Sequence, residues 1–243
     1  MNRPAPKRVF EVLDATWPAK RSVSVGPWRL RHGNGGGQRV SAATAETAVK
    51  AEDIDTAAQY MRTMGQHPLF MVRDGDEELD IHLEDRGYQL VDSTVFYIAA
   101  TADLTAELAL TAAMPTWPPL AVQREIWANG GIGPARIAVM ERCALPKITI
   151  LGRSGDVPAG TSYVASHNDI AMVHAVEVDP SLRRRGVGRL LMQACANWAA
   201  GEKATWLSLA VTRANKVANA LYVGLGMTEV TSYHYRRAPE TAG

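Results

Sequence analysis

A strand that stops at an Asp-Pro turn and then passes through arginines and glycines into an apolar helix is the feature that most constrains the fold of this chain. The segment VDPSLRRRGVGRLL spans residues 178–191. Pro180 cannot continue a strand ladder because it has no amide hydrogen, and Leu190 begins an apolar run with helical spacing. Gly186 and Gly188 therefore fall at a strand-to-helix turn, where free backbone N–H groups and the helix dipole favour an anion. The segment predicts either an ordinary basic turn or a phosphate-binding loop.

Arginines surround the two glycines, and guanidinium groups form charge-assisted hydrogen bonds with phosphate. They are Arg183, Arg184, Arg185 and Arg189. Two common phosphate motifs are excluded, since the segment has neither the GxxxxGKS/T pattern of a Walker loop nor the GxGxxG pattern of a dinucleotide-binding turn. The turn alone therefore does not decide between the two interpretations.

A second motif follows one strand later. After the predicted strand Thr205–Val211 comes NKVANALYVGLGM, residues 215–227. Together the two segments resemble the motifs of the GCN5-related N-acetyltransferases, the GNAT superfamily, and the likeness covers the chain from about residue 120 to residue 237. The first motif has the family's V-x-P-x-x-R-x-x-G-x-G form. The second has the family's Asn, Ala, Leu-Tyr and Gly at Asn215, Ala218, Leu221, Tyr222 and Gly226, with Met227 in place of the usual Phe.

The resemblance implies the GNAT fold, a mixed central sheet flanked by helices in which two parallel strands splay apart. Here those strands end near Val178 and Val211. It also implies acetyl-CoA as the cosubstrate, with its pantetheine arm between the splayed strands and its pyrophosphate at the glycine turn. The residues that the resemblance assigns to the cofactor are Val176, Glu177, Val178, Arg183, Arg184, Arg185, Gly186, Val187, Gly188, Arg189, Asn215 and Tyr222.

The resemblance further implies an acetyl-CoA-dependent N-acetyltransferase, in which a primary amine attacks the thioester directly within a ternary complex. The family's tyrosine at this motif position approaches the coenzyme sulfur, so Tyr222 is the expected general acid, and its alternative role is a core aromatic. The general base is expected to be His174 or Glu177. Some family members that acetylate arylalkylamines carry a histidine at the place of His174, but a hydrogen-bonded strand histidine is an equally good interpretation. Strand alternation puts Glu177 on the face opposite His174 unless a bulge intervenes.

Periodicity along the chain predicts an α/β (α+β) protein. Together with the resemblance, it implies a reduced N-terminal α/β unit at residues 1–100 and an acetyl-CoA-binding domain at residues 101–243. The predicted helices are Ala51–Met64, Asp76–Arg86, Pro134–Cys143, Gly188–Ala200 and Asn215–Leu225. The predicted strands are Pro27–His32, Gln38–Ala43, Leu69–Arg73, Thr94–Ala99, Ile148–Arg153, Gly160–His167, Ile170–Val178, Thr205–Val211 and Val230–Arg236. GNGGG at Gly33–Gly37 predicts a hairpin between the first two strands, and the prolines of Met114–Leu120 predict a break.

A weak internal repeat relates the two halves of the sequence. Asp76–Tyr88 aligns without gaps with Asn215–Met227. The N-terminal half is therefore expected to be a reduced copy of the same fold. It has no RxxGxG pattern, and Leu83 stands where Tyr222 stands, so we expect it to bind no acetyl-CoA.

Composition argues against several other functions. The net charge is +1 at pH 7 over 243 residues, so there is no basic field that would attract nucleic acid. Cys143 and Cys195 form no CxxC pair and His32, His67 and His82 have no ligand spacing, so neither a disulfide framework nor a metal site is expected. No apolar run approaches the length of a membrane span. We expect a cytoplasmic protein without a membrane partner.

Three questions stay open at the level of sequence. The same cofactor motif would serve a non-catalytic acyl-CoA-binding sensor. The acceptor is expected to be a small-molecule or peptide amine, which no residue pattern identifies. A homodimer is neither indicated nor excluded.

Overall fold

The computed structural model of the protein describes residues Asn2–Glu240, and the chain forms two compact units. The first contains the chain up to Pro18, Phe96–Val211 and Asn215–Val230, and the second contains Ala19–Val95, Thr212–Ala214 and the chain from Thr231 onward. The division into domains at 1–100 and 101–243 stays a prediction. It differs from these units chiefly at the chain up to Pro18, which clusters with the first unit, and at the chain from Thr231 onward, which clusters with the second. Met1 and residues 241–243 of the predicted ranges lie outside the described residues.

Helices and strands alternate along most of the chain. In chain order they are α1 (Pro6–Thr16), β1 (Arg21–Val25), β2 (Trp28–His32), β3 (Thr44–Ala45), α2 (Ala51–Thr63), β4 (Leu69–Arg73), α3 (Glu77–Asp85), β5 (Gln89–Ala100), α4 (Thr101–Leu104), β6 (Ala113–Thr116), α5 (Ala121–Asn129), α6 (Pro134–Arg142), β7 (Lys147–Ser154), β8 (Val157–His167), β9 (Ile170–Val178), α7 (Val187–Gly201), β10 (Trp206–Thr212), α8 (Lys216–Gly224) and β11 (Thr228–Arg237). Short 3-10 turns occupy Gln38–Val40 and Pro180–Leu182.

The first unit is built on a mixed sheet with strand order β5–β10–β9–β8–β7–β6. Strands β6 to β9 form an antiparallel meander, and β9 and β10 are parallel. Helix α7 packs closely on one face, since a Cβ atom on Gly160 would lie 3.0 Å from Val187 Cγ1. The opposite face carries Thr161 and Tyr163 and packs against α1 and α5. This mixed sheet flanked by helices confirms the predicted fold class.

The parallel strands β9 and β10 diverge towards their carboxyl ends. Their paired register runs from Ile170 opposite Trp206 to Val173 opposite Leu209. Within the described chain the ladder ends at that pair, although β9 continues to Val178 and β10 to Thr212. The carboxyl ends of these strands therefore flank an opening, as the sequence predicts for the splayed pair.

The second unit has its own hydrophobic core. Strands β1, β2 and β3 form an antiparallel sheet, and β4 pairs antiparallel with the carboxyl-terminal half of β11. An isolated parallel bridge joins Ala43 to Phe70. Helix α2 buries the apolar face that its spacing predicts, namely Ile54, Ala57, Ala58 and Met61. This face packs in the same cluster as Trp28, Phe70 and Leu83.

Helices α3 and α8, which the internal alignment pairs, end in the same way. Each helix is followed by a glycine in the left-handed region, Gly87 with φ 75° and Gly226 with φ 81°. In each case the next backbone N–H donates to the carbonyl five residues earlier. These bonds run from Tyr88 to Leu83 (3.0 Å) and from Met227 to Tyr222 (3.1 Å). The ungapped alignment of these two segments therefore pairs residues that have the same cap geometry.

The hairpin connection predicted at Gly33–Gly37 exists, but it is wide: these glycines lie in the loop between β2 and β3, which pair antiparallel at Arg29 and Thr44. The predicted strand Gln38–Ala43 is wrong, since it begins with a 3-10 turn and is followed by the short β3. The tight turn joins β1 to β2, where Gly26 has φ 55° and Val25 pairs with Trp28. Both glycine positions lie between paired strands, and the sequence pattern does not show which of them forms the tight turn.

The break predicted over Met114–Leu120 is wrong for its first residues. Ala113–Thr116 forms β6, and Pro115 pairs opposite Ile150 of β7. The proline is tolerated because β6 is the last strand in the sheet order, so the missing N–H faces no further strand.

Helices α1 and α5 were not predicted from the sequence, although both carry signals. Pro6 stands in the first turn of α1, and its buried residues follow helical spacing: Val9, Val12, Leu13 and Thr16. In α5, Gln123 Oε1 accepts a hydrogen bond from the Leu120 N–H at 2.8 Å and so satisfies a free donor at the helix start. These two helices prove important for the site.

A charged cluster ties α3 to β11 within the second unit. Asp80 Oδ1 accepts hydrogen bonds from Arg236 Nε at 2.6 Å and from His234 Nε2 at 2.8 Å. Arg236 also donates to Glu84 Oε2 at 3.0 Å, and its side chain is only 7% exposed. Burial alone would raise the pKa of Asp80, but the hydrogen bonds and charges of Arg236 and His234 outweigh burial and lower it.

Asp80→Asn is expected to lower the free energy of unfolding at neutral pH, because Arg236 loses a charged partner. The loss should be only about 1–2 kcal/mol, because solvent screens part of the interaction. Because the pKa of Asp80 is lowered in the folded protein, its carboxylate stabilises the fold at pH values above the ordinary carboxyl range. That stabilisation is lost as the pH falls through the folded-state pKa. The difference in the free energy of unfolding between wild-type protein and Asp80→Asn should therefore shrink below a pH of about 4. Urea unfolding at several pH values measures it, with exposed Asp85→Asn on the same helix as the control. An unchanged difference at acid pH would contradict the linkage.

Candidate active site

The glycine turn after β9 forms a backbone concavity at the start of α7. Asp179 Oδ1 accepts from Ser181 N–H at 2.8 Å and from its hydroxyl at 2.6 Å, and these bonds lower the pKa of that carboxyl. Arg184 has φ 64° and Gly186 has φ 82°, both in the left-handed region. Gly186 is the N-cap of α7. Because it has no side chain, it forms no capping hydrogen bond with the first N–H groups of the helix. Such an arrangement of free N–H groups favours an anion.

All four motif arginines are exposed, and two of them are held by hydrogen bonds to neighbouring elements. Arg183 Nε donates to the Val178 carbonyl at 3.2 Å, and its Nη2 lies 3.3 Å from Glu177 Oε1. Arg189 Nη2 donates to the Gly224 carbonyl at 3.1 Å, at the carboxyl end of α8. Arg184 and Arg185 are exposed at the turn. The predicted cofactor arginines therefore lie around one turn, two of them held by neighbouring elements.

Gly188 serves close packing as well as the turn. A Cβ atom there would lie 2.9 Å from Leu221 Cδ2 of α8, which is tighter than side chains allow. Helix α8 begins at Asn215, whose side-chain oxygen accepts from the Ala218 N–H at 3.1 Å. Asn215, predicted as a cofactor residue, thus has a clear role as a helix cap.

A bulge in β9 resolves the question of which face Glu177 occupies. Thr161 pairs with Glu177, but Tyr163 pairs with His174, so β9 has one extra residue between these pairs. Ala175 has φ 51° within this stretch. Directly opposite residues share a face, and so do residues two apart on β8. His174 and Glu177 therefore lie on the same face, which is the exception that the sequence left open.

His174 is enclosed on that face by α1. It is 3% exposed, its Nε2 lies 2.9 Å from the Thr16 hydroxyl, and its ring stacks on Trp17 with centroids 4.9 Å apart. The Tyr163 ring lies 5.9 Å away, and burial raises the pKa of Tyr163 well above its ordinary value. This environment favours the interpretation of His174 as a hydrogen-bonded strand histidine, whereas a base must reach the amine.

Glu177 is the more accessible of the two candidate bases. Its side chain is 19% exposed, and it lies beside both Arg183 and the carboxyl end of α5. Thr161, its partner on β8, accepts a hydrogen bond from Gln123 Nε2 at 3.1 Å. The carboxylate is therefore partly open to solvent but held by structured neighbours.

Tyr222 lies on the inner side of α8. It is 5% exposed, and its ring centroid is 6.0 Å from that of Tyr97. The Tyr97 hydroxyl donates to Asn219 Oδ1 at 3.2 Å. Tyr222 is buried within the first unit, as both the acid role and the core role require, so its burial alone does not separate them.

Several residues of this face were missed from the sequence. They are Thr16 and Trp17 beside His174, and Trp127 and Gly130 beside the bulge and Glu177. The helical spacing of α1 and the tryptophan of α5 are visible in the sequence, but which strand they contact is not.

Over Asn2–Glu240, no group of His, Cys, Asp and Glu side chains is arranged to hold a metal ion. In the same part of the chain, no helix has both the length and the apolar character needed to cross a membrane.

Comparison with known proteins shows that part of the chain is similar to acetyltransferases. Residues 111–227 match the model of the Acetyltransferase (GNAT) family, and no curated protein matches the chain in sequence. A GCN5-related N-acetyltransferase from Kribbella flavida is similar over 96% of this chain and 95% of its own, with 18% identity and a TM-score of 0.73. One from Sphaerobacter thermophilus covers 82% of this chain and 74% of its own, with 12% identity and a TM-score of 0.59. A tandem GNAT protein from the clavulanic acid biosynthesis pathway, in a structure without AcCoA, covers 98% of this chain and 90% of its own, with 12% identity and a TM-score of 0.59. At these identities the solved structures establish the fold.

Proposed function

We propose that this chain belongs to the GNAT superfamily and is an acetyl-CoA-dependent N-acetyltransferase that moves an acetyl group to a primary amine. The observation that carries the proposal is the uncapped start of α7 at Gly186, placed directly after the splayed strand β9. The fold and family support acyl transfer from an acyl-CoA. The acetyl donor, the amine acceptor and the residue roles are the finer part of the proposal.

The cofactor is proposed to lie along the opening between β9 and β10. Its pyrophosphate would be held by the N–H groups of the first turn of α7, with Arg184, Arg185 and Arg189 nearby as positive charges. Its pantetheine amides would pair with backbone groups of Val176–Val178, which lie beyond the last β9–β10 pair. The cofactor residues predicted from the sequence fall in these two regions and on α8.

The chemistry needs a free amine and a proton for the leaving thiolate. An alkylamine has a pKa of about 10.4, so it must lose a proton before its nitrogen attacks the thioester carbonyl. Glu177 is proposed to take that proton, directly or through a water molecule, because it is the more exposed carboxylate on the shared face. The new C–N bond then forms, and the nitrogen releases its second proton to water as the C–S bond breaks. Tyr222 donates its phenolic proton to the thiolate, and Glu177 returns its proton to solvent. Water restores the proton on Tyr222.

The function is tested by steady-state turnover of acetyl-CoA with a panel of small-molecule and peptide amines. Thiol release is followed with and without amine, and the acceptor is analysed by mass spectrometry. Amine-dependent release with an acetylated product supports the enzyme. Tight acetyl-CoA binding without turnover on any amine would instead favour a non-catalytic sensor.

Calorimetric titration should give one equivalent of acetyl-CoA per chain. In the second unit the parallel bridge between Ala43 and Phe70 is followed by Arg73, whose side chain donates to the Ala45 carbonyl and to Asp76 Oδ2, the latter at 3.1 Å. The turn that follows β4 has Gly75, with φ 99°, between Asp74 and Asp76. It lacks the RxxGxG pattern, and its two carboxylates would repel a pyrophosphate. Two equivalents per chain would contradict this expectation.

A further inference from the structure

Gly130, at the carboxyl end of α5, lies against Glu177, and its backbone conformation does not require a glycine. Gly130 has φ −86° and ψ 7°, a conformation that any residue adopts. A Cβ atom on it would lie 2.5 Å from both Cδ and Oε2 of Glu177. The next residue, Gly131, has φ 78° and so has a backbone reason to be glycine. At Gly130 the reason is space, and the carboxylate of Glu177 fills that space.

The same helix also fixes the strand that carries Glu177. Trp127 Nε1 donates to the Ala175 carbonyl at 2.7 Å, and Ala175 is the bulge residue with φ 51°. Trp127 is fully buried, so this bond is shielded from water. Since the bulge is what turns Glu177 onto the face of His174, one end of α5 determines both the direction of Glu177 and the room for its carboxylate.

The two carboxylate oxygens have different neighbours. Oε2 lies against Gly130, and Oε1 lies 3.3 Å from Arg183 Nη2. A side chain that approaches helix backbone on one oxygen and a guanidinium on the other has a defined position, which a proton acceptor needs.

We propose that Gly130 is a positioning residue that seats the Glu177 carboxylate for proton removal from the acceptor amine. The inference rests on the proposed function, in which Glu177 is the base. In Gly130→Ala the methyl group displaces the end of a flexible side chain rather than any backbone, so the fold should tolerate the change while the carboxylate moves. Because a misplacement of about 1 Å costs up to about 10²-fold in rate, kcat should fall between about 10-fold and 10²-fold. The KM for acetyl-CoA should stay unchanged.

The experiment compares Gly130→Ala, Glu177→Ala and the double variant with wild-type protein. Gly133→Ala is the matched control, since Gly133 lies in the same loop with φ −83° and no atom within 4 Å of its added Cβ. Removal of the carboxylate empties the space that the methyl group needs. Gly130→Ala should therefore lower kcat in the wild-type background and leave it unchanged in the Glu177→Ala background. Gly133→Ala should not alter kcat in either background.

A second readout does not depend on turnover. The carboxyl-carbon NMR shift of Glu177 should change in Gly130→Ala and stay the same in Gly133→Ala. Unchanged kcat in Gly130→Ala, an equal loss in both backgrounds, or an unchanged Glu177 shift would each overturn the proposal. If wild-type protein acetylates no amine, the base role fails with the proposed function, and the NMR shift alone then decides whether Gly130 seats the carboxylate.

Discussion

Gly188→Asp is expected to weaken acetyl-CoA binding about 100-fold, which corresponds to about 2.7 kcal/mol. The substitution adds a carboxylate in the first turn of α7, where the pyrophosphate is proposed to bind, so a favourable anion site becomes repulsive. Isothermal titration calorimetry measures the loss. An acidic residue near a helix start is favourable for the helix itself, so the effect is expected in binding rather than in folding.

Gly188→Ala is the control for this variant. Both substitutions add the same Cβ atom 2.9 Å from Leu221 Cδ2, and only the aspartate adds charge. The alanine variant should therefore bind acetyl-CoA much more tightly than the aspartate variant. Equal affinities for the two would mean that the turn packs against α8 and does not hold the pyrophosphate.

Tyr222→Phe is expected to lower kcat by about 10²-fold, because the phenolic proton needed by the leaving thiolate is removed while the ring remains. The affinity for acetyl-CoA should change little. Tyr222 is 5% exposed, so Tyr222→Ala would cost about 3–5 kcal/mol of stability through lost packing and is a poor test of catalysis. Turnover is measured with whichever amine the panel identifies.

Tyr97→Phe is the matched control for the acid role. Its ring lies 6.0 Å from that of Tyr222, and its hydroxyl bonds to Asn219. It should lose at most that hydrogen bond and keep full turnover. Full activity in Tyr222→Phe would show that this tyrosine is a core aromatic and that the thiolate takes its proton from water.

The parts of the site that lie close together in sequence could be predicted from the sequence. The turn at Gly186, the start of α7 and the cap after α8 at Gly226 each depend on a few neighbouring residues with special backbone preferences. The splayed strands followed from the resemblance, which these local motifs carry. The backbone preferences of neighbouring residues were therefore enough to predict the half of the site that is proposed to bind the cofactor.

The face of β9 that carries His174 and Glu177 could not be predicted, because distant contacts determine it. The bulge at Ala175 is held by Trp127, 48 residues earlier, and its position decides the face of Glu177. His174 lies beside Thr16, 158 residues away along the chain. Alternation along β9 alone gives the wrong face for Glu177, since a single extra residue in a strand reverses the pattern after it.

The strand predicted after Gly33–Gly37 was misplaced for a related reason. A glycine-rich run permits a tight turn, but the register of the flanking strands decides whether one forms. Val25 and Trp28, which flank Gly26, pair directly, whereas β2 pairs with β3 only at Trp28–Ala45 and Arg29–Thr44. The backbone freedom that allows a tight turn and the strand pairing that requires one are separate conditions.

A single-turnover experiment tests the central claim most directly. Protein in excess over acetyl-CoA is mixed with the best amine, quenched at intervals, and analysed for free CoA thiol, acetylated amine and acetylated protein. The account predicts one acetylated amine for each thiol released, no acetyl group on the protein at any time, and little thiol release without amine. Thiol release that is independent of amine, or an acetyl group that first appears on the protein, would contradict direct transfer from acetyl-CoA to an amine.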